Sequence, residues 1–168
     1  MSREGIDNAL GREPYATVVA PDISVWREAA GSEPSALVKR LADAVEPGGW
    51  LYVGFPNYWF PGRPMRRGSL SLHAAVTAVL RSGLEEIQPY IALPDQRCPA
   101  FLISVRRRHE LDYFLGDLFF PYTPAGHART AFLRRVLLPM AAVLLRRGPH
   151  RPRVELAPAL AVVARRPA

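Results

Sequence analysis

Six consecutive residues, Trp50-Leu51-Tyr52-Val53-Gly54-Phe55, carry no charge and almost no polar surface, and no other stretch constrains the fold as strongly. A strand apolar on both faces needs cover from both sides, which is the situation of a central strand in a parallel sheet layered with helices. The residues before it fit that setting. Tyr15-Ala16-Thr17-Val18-Val19-Ala20 is a second short apolar run, stopped by Pro21-Asp22. Between the two, Pro34 to Val45 reads as a helix with Leu37, Val38, Leu41, Ala42 and Val45 on one face and Lys39, Arg40 and Asp43 turned away. Ser32 or Ser35 is the expected cap, and Pro47-Gly48-Gly49 the expected stop. Two strands joined by a helix make a βαβ unit.

The pattern then repeats. A loop from Pro56 to Gly68, rich in proline, glycine and aromatic residues, gives way to a helix capped by Ser69 or Ser71. That helix runs to about Ser82, with Leu72, Val76, Val79 and Leu80 inward and Gly83 as its stop. Glu86 to Leu93 is a third strand, ending at Pro94-Asp95. Past it, Ala100 to Val105 is a short apolar run, Glu110 to Phe120 has helical spacing, and Ala131 to Leu145 is an apolar helix candidate interrupted by Pro139. Leu160 to Ala164 closes the series as a short strand followed by Arg165-Arg166-Pro167.

The chain has 168 residues, enough for one domain with a substantial core and too few for two ordinary ones. Its single cysteine, Cys98, excludes an internal disulfide and a thiolate metal cluster, which fits a reducing, cytoplasmic setting. No secretory signal is visible in Met1 to Pro14. The net charge of +7 is uneven: residues 1–95 hold 9 basic and 11 acidic side chains, and residues 96–168 hold 13 and 4. Arginine outnumbers lysine 21 to 1, as a GC-rich coding sequence would also produce.

Ala44-Val45-Glu46-Pro47-Gly48-Gly49-Trp50-Leu51-Tyr52-Val53 resembles the helix, Pro-Gly-Gly and apolar strand that lead into the fifth strand of class I S-adenosylmethionine-dependent methyltransferases. Val18 to Asp22 resembles the end of that family's fourth strand, Ser82 to Ile87 its turn into strand six, and Leu160 to Pro167 its last strand. The resemblance implies a truncated Rossmann-like α/β sheet in one domain over residues 1–168. A leader (1–14) precedes a β-α-β-α-β core (15–93), followed by a mainly helical insertion (94–157) and a final antiparallel strand with its tail (158–168). That strand would lie between the fifth and sixth. Departures are equally plain. No Gly-rich turn of the G-x-G-x-x-G kind occurs, and only about fourteen residues precede the first strand, so one copy of the chain is not expected to assemble an intact S-adenosylmethionine pocket.

By the resemblance, Asp22 falls where the family places a catalytic or substrate-orienting polar residue; capping a turn or helix is the alternative. His109 and His127 lie in the insertion, where either could serve as a general base or stay a solvated surface group. Asn57, Tyr58, Trp59 and Phe60 could wall a substrate site, or pack across the sheet. His73, His109, His127 and His150 lack metal-ligand spacing, and no metal is expected. Cys98 beside Arg97 has no identifiable base, and no G-x-S-x-G elbow is present. The apolar stretch between Arg134-Arg135 and Arg146-Arg147 is too short to span a bilayer, which takes about 20 residues. It reads as a core helix or as a contact with an anionic membrane surface. Nucleic acid is not an expected partner, because no reader motif accompanies the arginines.

The expectation is therefore a methyltransferase-like subunit or substrate-binding half that needs a protein partner or self-association to complete its sheet. A small molecule is the expected substrate. The alternative is a non-catalytic binding module docking on an anionic partner or membrane through the basic half.

Overall fold

The computed structural model describes residues 13–30, 33–58, 70–93, 95–113, 154 and 157–168. Its elements are β1 (Tyr15–Ala20), α1 (Ile23–Ala30), α2 (Pro34–Asp43), β2 (Val45–Pro56), α3 (Leu72–Arg81), β3 (Glu85–Leu93), β4 (Phe101–Ser104), α4 (Arg108–Tyr113) and β5 (Ala159–Arg165). The fold is mixed α/β, with a five-stranded sheet in the order β1-β2-β5-β3-β4. β1 runs parallel to β2, β5 is antiparallel to both β2 and β3, and β4 is antiparallel to β3. The last strand in sequence thus sits in the middle of the sheet, between β2 and β3.

The helices α1, α2 and α3 share one face of the sheet. Leu37, Val38, Leu41 and Ala42 of α2 and Ala75, Ala78 and Val79 of α3 pack in one buried cluster with Val18, Leu51, Val53, Phe55, Leu160 and Val162 of the strands. Alternate residues of the same strands point to the opposite face, where Ala92, Ala159 and Ala161 are buried beside half-buried Tyr52 and Tyr90. Toward the β1 edge this second face opens: Trp50 is 38% exposed and Val19 55%. β2 is central as its composition requires, but among the described residues helices cover only one of its faces.

Several local expectations change. Helix α2 begins at Pro34 after Glu33, whose side chain makes no capping bond; the fixed φ of proline at the first helical position starts the helix instead. It ends at Asp43, before Pro47-Gly48-Gly49, so those residues are not its stop. They form a bulge inside β2, where two steps along β1 (Tyr15 to Thr17) match five along β2 (Val45 to Trp50). Gly48 takes φ +78° there, and a Cβ on Gly49 would press on the Ala16 carbonyl at 2.7 Å. Helix α3 matches its expectation at both ends, since Ser71 accepts from the Ala74 amide at 3.2 Å and Gly83 follows at φ +77°. Leu80, expected inward, is 63% exposed, and Ala75 and Ala78 take the inner positions. α1 was not expected at all. The insertion also contains a strand, β4, which folds back antiparallel on β3, and the loop between them is closed at its base by the Ala100 amide on the Leu93 carbonyl at 2.7 Å.

Arg165, the last residue of β5, and Arg166, which follows it, hold the bulge to the sheet. The Arg166 amide donates to the Gly49 carbonyl at 2.9 Å, and its guanidinium donates to the carbonyls of Asp43, the last residue of α2, and Val45, the first of β2. A cation satisfying the last carbonyls of a helix is favourable on both hydrogen-bond and dipole grounds. Arg165 lies over the Trp50 ring at 5.7 Å, donates to the Gly48 carbonyl and pairs with Glu86.

Arg166→Ala is expected to lower stability by about 1–2 kcal/mol, because it strips the guanidinium donors from the Asp43 and Val45 carbonyls at once. Urea unfolding measures the loss. A variant with an unchanged midpoint would show that the bulge holds without it.

Candidate functional site

The C-terminal ends of the parallel strands β1 and β2 lie side by side, and a loop from the far side of the sheet is strapped across them. Asp22 leaves β1 and occupies the position before α1. Its Oδ1 accepts from the Ser24 amide at 3.1 Å and from the Ser24 hydroxyl. It caps α1 in the manner of helix-starting aspartates. Its other oxygen, Oδ2, accepts from Arg97 Nε at 2.6 Å. Asp22 is 4% exposed, whereas the Arg97 side chain is about half exposed. Burial pushes the Asp22 carboxyl up, but the hydrogen bonds from Ser24 and Arg97 and the guanidinium charge outweigh it and hold the pKa below the ordinary carboxylate range.

The strap is built by its own first residue. Asp95 Oδ1 accepts from the amides of Arg97 and Cys98 at 2.8 and 3.2 Å, closing a turn that presents Gln96 to the sheet. Gln96 is buried and stacks on Gly54, where a Cβ would collide with the Pro21 carbonyl and meet Gln96 at 3.0 Å. Only glycine allows the post-β1 loop, β2 and the strap to meet at that point. Tyr52, two residues earlier on the same face, donates its hydroxyl to the Gln96 carbonyl at 3.2 Å. Burial, with the charge of Asp95 adding to it, pushes the Tyr52 phenol up. The Gln96 side-chain oxygen is buried with no hydrogen-bond partner among the described residues.

Asn57, at the end of β2, is also buried. Its Nδ2 donates to the carbonyls of Val154 and Ala157 at 3.1 and 2.7 Å, tying the end of β2 to the chain entering β5. Tyr58 is 38% exposed and its amide donates to the Leu70 carbonyl. Trp59, Phe60 and His127 lie outside the described residues. His109 is exposed on α4. The structure thus sets Asp22 and Asn57 at the carboxyl ends of β1 and β2, each with its side chain bonded within the fold. Sequence reasoning missed Gln96 and Arg97; the only local signal was Asp95 two residues ahead of an amide it could cap. Among the described residues no group of three or more His, Cys, Asp or Glu side chains could hold a metal, and no helix is long and apolar enough to cross a membrane.

No family model matches the chain, and no curated protein is similar enough to count as a relative. Among solved structures it is similar to the [4+2]-cyclase SpnF, at 14% identity over 93% of this chain with a TM-score of 0.44. The chain spans about half the length of that structure, 51%.

With its pKa lowered in the fold, Asp22 contributes stability above its unfolded-state pKa, and that contribution is lost as pH falls through the lower folded value. Asp22→Asn should therefore flatten the acid limb of a thermal-stability profile recorded from neutral pH down to about pH 2, the range over which paired carboxylates titrate. At neutral pH it should cost about 1–2 kcal/mol, since the charge is lost while part of the cap remains. An acid limb identical to that of the parent would show that the Asp22 carboxylate is not held by Ser24 and Arg97 in solution.

Proposed function

We propose that this chain is a methyltransferase-like subunit, acting as the substrate-side half of an S-adenosylmethionine-dependent system whose cofactor-gripping half comes from a partner or a second copy. The observation that supports the reading is the strand order. A parallel β1-β2 pair followed by an antiparallel last strand inserted ahead of β3 is the order the Pro-Gly-Gly resemblance implies for the fourth, fifth, seventh and sixth strands of that family.

The residues described here do not by themselves fit the cofactor. The sequence has no Gly-rich turn to let the backbone approach the cofactor closely, and Asp22, at the carboxyl end of β1, is engaged by Ser24 and Arg97. No chemical step is therefore assigned to S-adenosylmethionine on this chain. Asp22 acts in this reading as a positioning residue. It fixes α1 and, through Arg97, the strap that carries Gln96 over Gly54 and Tyr52.

Calorimetric titration with S-adenosylmethionine, run on the isolated chain and on the complex recovered natively from its source cells, tests the reading. The complex should bind saturably and the isolated monomer should not. Saturable binding by a monomer would contradict the split site, and a complex that neither binds the cofactor nor transfers methyl groups would remove the methyltransferase reading.

A further inference from the structure

The loop between β3 and β4 makes an excursion that a hairpin does not need. The Ala100 amide on the Leu93 carbonyl already joins the two strands at the base of the loop, and β4 lies on the outer side of β3. The strap nevertheless reaches the opposite way, past β5 to the ends of β2 and β1. There Arg97 Nε donates to Asp22 Oδ2 at 2.6 Å, and the Gln96 carbonyl accepts from the Tyr52 hydroxyl at 3.2 Å. A loop tied at its base, with its tip laid over another part of the molecule, can move as a unit without disturbing the strands that carry it.

The tip also keeps its own shape. Asp95 Oδ1 holds the amides of Arg97 and Cys98 from within the loop, so those bonds survive when the tip leaves the sheet. The contacts that break are exchanged for water at small loss. The Arg97 side chain is about half exposed, so solvent already competes for its bond with Asp22. Gln96 favours release: it is 3% exposed, and its side-chain oxygen, unpartnered among the described residues, gains water on lifting. A buried, unpaired amide oxygen disfavours the closed arrangement by roughly tenfold. The charged bond from Arg97 to the buried Asp22 carboxylate works against that and holds the tip down.

We propose that residues 95–99 form a flap over the carboxyl ends of β1 and β2, latched by Arg97 on Asp22, which opens in the folded protein to bare Gly54, the Pro21 carbonyl and the Tyr52 hydroxyl. Open α/β sheets take their ligands outside the carboxyl ends of the strands. The closed flap fills that place with Gln96, packed so closely on Gly54 that a Cβ there would meet it at 3.0 Å. A molecule taken up at this corner must first displace the flap. The inference concerns access to the corner and does not depend on methyl transfer.

Thiol protection tests it on the full chain. Gln96→Cys in a Cys98→Ser background puts a single thiol at the buried point of the flap, and Val162→Cys in the same background puts one in the core, where Val162 is 1% exposed. An aromatic disulfide reagent reads how often each is uncovered. At neutral pH the thiol at position 96 should react at least about tenfold faster than that at 162, as local opening outpaces global unfolding. Its rate should hardly change in low urea, because little surface is exposed, whereas the rate at 162 should climb. Adding Arg97→Ala should raise the rate at 96 at least about threefold, and by more than at 162, since it removes a charged hydrogen bond. Arg107→Ala, at an exposed ion pair beside α4, should change neither rate. Equal protection with equal urea dependence at the two positions, or a rate at 96 that Arg97→Ala leaves unchanged, would overturn the flap. Should circular dichroism show that a cysteine variant fails to fold, relaxation dispersion on the parent decides: the Gln96 and Arg97 amides must show microsecond-to-millisecond exchange that those of Leu51 and Val162 lack, and flat profiles overturn it. A failed cofactor titration leaves the flap standing, and a fixed flap leaves the methyltransferase-like reading standing, so the two ideas fail separately.

Discussion

Everything described here is arranged around β5. It enters the sheet last in sequence and occupies the middle, bonded antiparallel to β2 on one side and β3 on the other. Without it the β1-β2 pair and the β3-β4 pair would share no ladder. Its alternating side chains serve both layers, with Leu160, Val162 and Ala164 in the helix-covered core and Ala159 and Ala161 on the other face. Its ending matters as much, because Arg165 and Arg166 reach Trp50, the Gly48-Gly49 bulge and the end of α2. A chain whose final segment locks its center must bring distant parts together before it gains much, so its contacts are non-local and its folding is expected to be slow.

The candidate site inherits its geometry from this arrangement. β1 and β2 are parallel and in register over Thr17 to Ala20, so Pro21 and Asp22 leave β1 beside the last residues of β2, and Gly54 leaves room for the strap to approach. Asp22 joins three things through one carboxylate: the start of α1, the exit from β1 and the strap from beyond β3. Burying a carboxylate is costly unless it is paired and hydrogen-bonded, and here both conditions are met. The functional reading and the stability of this corner are therefore the same set of bonds.

The strands were legible because each is a short apolar run bounded by Pro, Gly or Asp, and β1, β2, β3 and β5 fall close to where those runs lie. Helix α3 was legible from its Ser71 and Gly83 signals. α1 was not, because Ile23–Ala30 is short and mixed, although Asp22 ahead of it was the cap that could have announced it. Pro47-Gly48-Gly49 misled for a physical reason: a glycine with positive φ serves a strand bulge as well as a helix end, and spacing alone does not separate the two. Leu80 was assigned inward by periodicity, yet close packing of α3 uses the smaller Ala75 and Ala78. At the site, Asp22 was singled out, but its partner Arg97 lies 75 residues away and no local pattern links them. The same holds for Asn57, whose side-chain bonds reach about a hundred residues along the chain.

β5 is the center of one cooperative sheet, and native-state hydrogen exchange tests that most directly. The amides of Val162 to Ala164 should exchange only through global unfolding and belong to the slowest set in the protein, with those of β4 at the edge exchanging much faster. If β5 amides exchange as quickly as those of β4 while β2 remains protected, the last strand is not the element that joins the two halves of the sheet, and the strand order supporting the methyltransferase-like reading falls with it.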